Sequence, residues 1–120
     1  MTADDFAERL ALVRKRFAGK LPARLDDIDA SLPLLTGASS EVGRSVYSTH
    51  RKVHDLCGIG PTLGFHSTGK AARTCERILL QPSRDQRGLT EQELAQLKEG
   101  LAALRAAAMD EIRSTAAVLE

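Results

Sequence analysis

The feature that most constrains this chain is its apolar spacing, three and four residues apart and interrupted by capping and turn residues. Leu94, Leu97, Leu101, Leu104, Ala108, Ile112 and Leu119 form one seam, the pattern of a helix that packs near-antiparallel neighbours at about 20°. Thr90 followed by Glu93 reads as the capping box that opens it. Near the other end, Phe6, Leu10, Val13 and Phe17 fall at i, i+4, i+7 and i+11 after a similar start, Thr2 with Asp5. Gly19 is expected to close that helix and Pro22 to open the next. Leu25, Ile28, Leu32 and Leu35 carry the second stripe to Gly37, with Pro33 kinking it or ending it early. Ser39 or Ser40 caps a third helix from about Glu41 to Gly58, ended by Gly60-Pro61. A fourth is predicted over Phe65 to Leu80, after the Gly64 break, with Gln81 to Leu89 as a polar loop. No strand pattern and no internal repeat is present. The expected fold is all-α: an antiparallel four-helix bundle over residues 21–120 with an extra N-terminal helix over residues 1–20.

Composition narrows the function. With 120 residues, 42% hydrophobic and 28% charged, the chain fits a single globular domain and not a disordered segment. The net charge is +1, so no basic excess points to nucleic acid. Aromatics are only 3% and Trp is absent, which weakens any base-stacking role. No run approaches the roughly 20 apolar residues of a membrane span. No basic and apolar leader precedes the first helix. Cys57 and Cys75 make no disulfide framework. These readings predict a cytoplasmic, free-standing monomer that binds neither membrane nor nucleic acid.

The chemistry concentrates in the stretch from Tyr47 to Gly64. On a helical wheel Val42, Val46, Thr49, Val53 and Leu56 share one side, the core face. His54 falls roughly 110° from its centre, at the rim, with Tyr47, His50, Arg51 and Gly58 around it. A glycine inside a helix costs about 1 kcal/mol relative to alanine. Gly58 one turn after His54 leaves a bare space where another protein can bring a reacting group. Histidine is the nucleophile whose free nitrogen is available near neutral pH without a strong base.

His54, Gly58, Leu63 and Gly64 together resemble the histidine-containing phosphotransfer (HPt) domain of bacterial two-component phosphorelays. That family's motif is His-x-x-Lys-Gly with a second glycine six residues on, preceded by an aliphatic residue. Ala72 and Glu76 fall where the family commonly has a small residue and a glutamate on the next helix, and Leu21-Pro-Ala-Arg-Leu25 is similar to its preceding helix. The resemblance covers roughly residues 17 to 80. It implies a phosphoryl carrier that takes the group onto His54 from a response-regulator receiver aspartate and relays it to another receiver. The partners it implies are receiver domains and a hybrid histidine kinase, with Mg²⁺ supplied by the receiver and no cofactor in this chain. No Gly-x-x-x-x-Gly-Lys or Gly-x-Gly-x-x-Gly loop for a nucleotide is present, so the chain is expected to use no ATP and to be no autonomous catalyst.

The sequence departs from the motif at one place. Cys57 stands where the family has lysine, and a thiol supplies no fixed positive charge. Arg51, nearest on the wheel, and Lys70, on the next helix, are the alternative cations. The expected docking surface comprises Gly58, Cys57, Tyr47, His50, Arg51, Gly64 and Lys70. The departure also favours an alternative from a different class, a non-catalytic helical adaptor or dimerisation module that docks on a receiver without being phosphorylated. A third reading uses His50, His54 and Cys57, within about 60° of one another on the wheel, to hold zinc with His66 or Cys75. Zinc is disfavoured because its usual patterns draw ligands from two segments with paired spacing.

Overall fold

The computed structural model describes residues 2–119, with side chains through residue 115. Among the described residues the chain is helical throughout, with four helices packed together: α1 (Ala3–Ser31), α2 (Ser40–Thr62), α3 (His66–Arg84) and α4 (Glu91–Leu119), and a 3-10 turn at Leu32–Leu34. No described helix is long and apolar enough to cross a membrane.

The expected break between an N-terminal helix and the bundle does not occur. α1 runs unbroken through Gly19 and Pro22, so the boundary expected at residue 20 falls inside one helix. The glycine and proline together cost about 4 kcal/mol of helix propensity. Against that, the helix buries Phe17, Leu21, Leu25 and Ile28, each contributing about 1.5–3 kcal/mol. Burial therefore outweighs punctuation. Full burial begins only at Phe17: in the first half of the stripe Phe6 and Val13 are exposed, and Leu10 packs partly buried against the core. Both capping boxes form, Thr2 with Asp5 and Thr90 with Glu93. Pro33 does end α1, within the 3-10 turn.

Ser39 caps α2, its hydroxyl accepting from the Glu41 amide at 3.1 Å. The helix continues past Gly58 and includes Gly60 and Pro61, one turn beyond expectation. It stops at Gly64, where φ is +87°. The Phe65 amide donates to the Gly60 carbonyl at 2.8 Å and the Gly64 amide to the Pro61 carbonyl, the paired closure that calls for glycine at that position. Gly60 and Pro61 stay helical because they are pressed against α3. A Cβ added to Gly69 would lie 2.5 Å from the Pro61 ring.

α3 also runs longer than predicted. Residues 81–84, expected as loop, form its last turn with buried Pro82. Its end repeats the closure of α2, Arg87 amide to Pro82 carbonyl and Gln86 amide to Ser83 carbonyl, with Gln86 at φ +53° in place of glycine. Its start has no cap from its own residues. Glu111 of α4 supplies it, accepting from the Thr68 amide at 2.6 Å and hydroxyl at 2.7 Å.

The core takes Leu97, Leu101, Leu104 and Ala108 from α4, Val46, Thr49, Val53 and Leu56 from α2, and Ala72, Cys75 and Leu79 from α3. The predicted α4 seam is thus the buried face, with Leu94 and Ile112 at its margins; the Leu119 side chain lies outside the described residues. Phe17 and Phe65 meet edge to face at 5.0 Å. Along the α2–α3 contact, Pro61 meets Gly69, His54 meets Glu76, and Tyr47 shares a groove with Ser83. These two helices therefore run in opposite directions.

Candidate functional site

His54 sits in the middle of α2, on the edge that faces α3. Its side chain is 62% exposed, and Nδ1 is hydrogen-bonded to the Glu76 carboxylate, itself 22% exposed. A carboxylate bonded to Nδ1 fixes the tautomer: Nδ1 carries the proton and donates it, and Nε2 keeps its lone pair. The result is a solvent-facing imidazole anchored at Nδ1.

The surroundings divide into two open grooves. One, of about 370 Å³, is lined by Arg24, His54, Asp55, Gly58 and Ile59. A Cβ added at Gly58 would meet nothing within 4 Å. No packing among the described residues demands the glycine, so what it provides is bare surface beside the imidazole. Arg24 lies over the Phe17 ring at 5.6 Å. The other groove, of about 700 Å³, lies toward the start of α2. Tyr47, His50, Arg51, His54 and Asp55 form one wall, and Leu80, Ser83, Arg84 and Gln86 the other. Tyr47 is 53% exposed, and its hydroxyl accepts from Arg51 at 3.2 Å.

His50 stacks on His54 at 6.1 Å with 19° between the rings. Its environment is different. It is half-buried, and its Nε2 is buried with no hydrogen-bond partner among the described residues. Burial, with further repulsion from His54, Arg51 and Arg84, holds its pKa below the ordinary 6.5, against a smaller opposing pull from Glu76. His50 is therefore a neutral ring beside the exposed one.

Other predicted site residues fall elsewhere. Cys57 is only 8% exposed, so it belongs to the core margin and not to the surface where it was expected. Burial pushes its thiol up to about 11, with Glu76 adding to the rise and Arg73 opposing it. Its neighbour Cys75 is pushed up to about 12, again mainly by burial. Neither is positioned to act as a thiolate near neutral pH. Gly64 shapes the turn between α2 and α3. Lys70 is exposed on α3 and lines neither groove beside His54. Among the described residues no three His, Cys, Asp or Glu side chains converge as a metal site. Helical spacing did bring His50 and His54 together, but the Cys57 side chain turns inward.

Glu76, which the resemblance placed on the next helix without a role, is bonded to His54. No local pattern marks it as a partner of His54, because the pairing spans 22 residues and two helices. Arg84 is an addition; it stands in a segment whose Pro82 and Ser83 read as loop. No protein-family model, curated protein or solved structure matches this chain.

Proposed function

We propose that this protein is a histidine phosphotransfer carrier, an antiparallel four-helix bundle that accepts a phosphoryl group on His54 Nε2 from a receiver aspartate and passes it to another receiver. The observation that carries the reading is the His54–Glu76 pair on an open surface. In the forward step the Nε2 lone pair attacks phosphorus and the acyl-phosphate P–O bond breaks, returning the aspartate as carboxylate. The new Nε2–P bond makes the ring cationic, and Glu76, bonded to its Nδ1–H, stabilises that charge. Such transfers depend on positioning and charge stabilisation more than on covalent help from the protein.

A docking surface surrounds the acceptor. Tyr47 on one side and Ile59 on the other are exposed apolar side chains, with His54 and the bare Gly58 between them. That arrangement suits a partner that must bring an aspartyl phosphate within bonding distance of Nε2.

The test is intact-mass spectrometry after incubation with phosphoramidate, wild type beside His54→Gln. One acid-labile phosphoryl adduct, absent from the variant, is expected. No adduct on folded wild-type protein would transfer the reading to a non-catalytic adaptor that docks on a receiver. An adduct that persists in His54→Gln would place the acceptor at another histidine.

A further inference from the structure

A phosphoryl group on His54 brings two negative charges to a surface already carrying Glu76 and Asp55. Phosphoryl groups are held where fixed cations oppose that charge. Position 57, one turn after His54, supplies none. Lys52 is committed to Asp27 at 2.8 Å, and Arg24 lies over Phe17 and opens onto the smaller groove on the Gly58 side.

Side-chain direction selects among the remaining arginines. Helical side chains lean toward the N-terminus of their own helix. His54 on α2 therefore leans toward Tyr47 and Arg51, into the 700 Å³ groove. Because α3 runs the opposite way, a residue at its C-terminal end leans back toward His54. Arg84 is that residue. It lines the same groove as His54 and lies close enough to His50 to lower its pKa. Arg51 stands on the facing wall, one N–H engaged by the Tyr47 hydroxyl and the rest of its five donors without a partner among the described residues. His50 between them is neutral, so it adds no competing requirement for an anion. The Arg84 wall is also fixed in place: the Gln86 carbonyl would lie 3.0 Å from a Cβ on Gly43 of α2.

We infer that this groove is an oxyanion site in which Arg84, across from Arg51, holds the phosphoryl group carried by His54. Resting on the phosphotransfer reading, it assigns the counter-charge to the end of α3, one element away from the acceptor helix. In the step with phosphoramidate, Nε2 attacks phosphorus, the donor P–N bond breaks, and ammonia leaves with a proton from solvent. The three phosphoryl oxygens then face the two guanidinium groups.

The experiment has two arms, each run on wild type, Arg84→Gln and Arg84→Lys. The first measures the initial rate of His54 phosphorylation by phosphoramidate, a donor too small to report on partner docking. Loss of one charge-assisted contact is expected to slow Arg84→Gln about five- to tenfold, with Arg84→Lys between it and wild type. The second titrates inorganic phosphate and follows the arginine side-chain N–H resonances by NMR. Arg84 and Arg51 signals should move in wild type, and the Arg51 response should weaken in Arg84→Gln. Loss of helix-terminal charge alone would alter the thermal midpoint without changing the phosphate response of Arg51. Phosphorylation of Arg84→Gln at the wild-type rate overturns the site. So does a phosphate titration that leaves both arginines unmoved. If wild type takes no phosphoryl group yet phosphate still moves Arg84 and Arg51, the carrier reading falls and the oxyanion site stands.

Discussion

His50 and His54 are one helical turn apart on α2, with rings stacked at 6.1 Å, yet the surface assigns them opposite properties. His54 is exposed, with its Nδ1 held by a carboxylate. His50 is half-buried, its Nε2 enclosed without a partner among the described residues and its pKa lowered. The difference arises from about 40° of rotation toward the core and from Glu76 of α3, whose carboxylate is bonded to His54 and acts on His50 only as a nearby charge. The environment of each imidazole here follows from its position relative to α3, not from its residue type.

The largest effect should fall on phosphorylation itself. His54→Gln is expected to abolish the acid-labile adduct, while His50→Gln keeps its rate within about threefold of wild type, since it removes no group that contacts the reacting nitrogen. An equal loss in both would erase the distinction. Next, Glu76→Gln preserves a hydrogen-bond acceptor for Nδ1 and removes the charge. A slowdown of about tenfold, about 1.4 kcal/mol, is expected from stopped time courses with phosphoramidate. No slowdown would mean that the carboxylate only orients the ring.

Two glycines extend the contrast between open and enclosed surface. Gly69→Ala would drive a Cβ to 2.5 Å from the Pro61 ring and should cost about 1–3 kcal/mol in urea unfolding. Gly58→Ala meets no atom and should stabilise the fold by about 0.5–1 kcal/mol. It should leave phosphoramidate labelling unchanged and slow transfer from a receiver. The smallest effect is on pH dependence. The folded protein lowers the His50 pKa below 6.5, chiefly by burial, so the unfolded chain binds the proton more readily. Stability is then complete above that value and declines as pH falls below it. Urea midpoints at successive pH values should show a shallower acid decline for His50→Gln than for wild type.

Much of this was legible in the chain. The α4 seam, the two capping boxes, the core face of α2 and the rim position of His54 follow from residue spacing, because helical period and local hydrogen bonds are properties of neighbours in sequence. The punctuation at Gly19, Pro22, Gly58 and Pro82 misled, because its cost is local and about 1–3 kcal/mol at each site, whereas the burial that overrides it depends on what the helix packs against. Cys57 was expected at the surface, and its burial was set by the approach of α3.

The sequence by itself determined that the chain is helical, which faces are apolar, and that an exposed histidine stands beside a bare glycine. Only the tertiary structure decided that Glu76 meets His54, that Glu111 of α4 caps α3, and that Arg84 opens onto the same groove. Each of those pairings joins residues far apart in the chain, and a polar side chain gains a partner across such a distance only when the packing of apolar faces has fixed the register between helices.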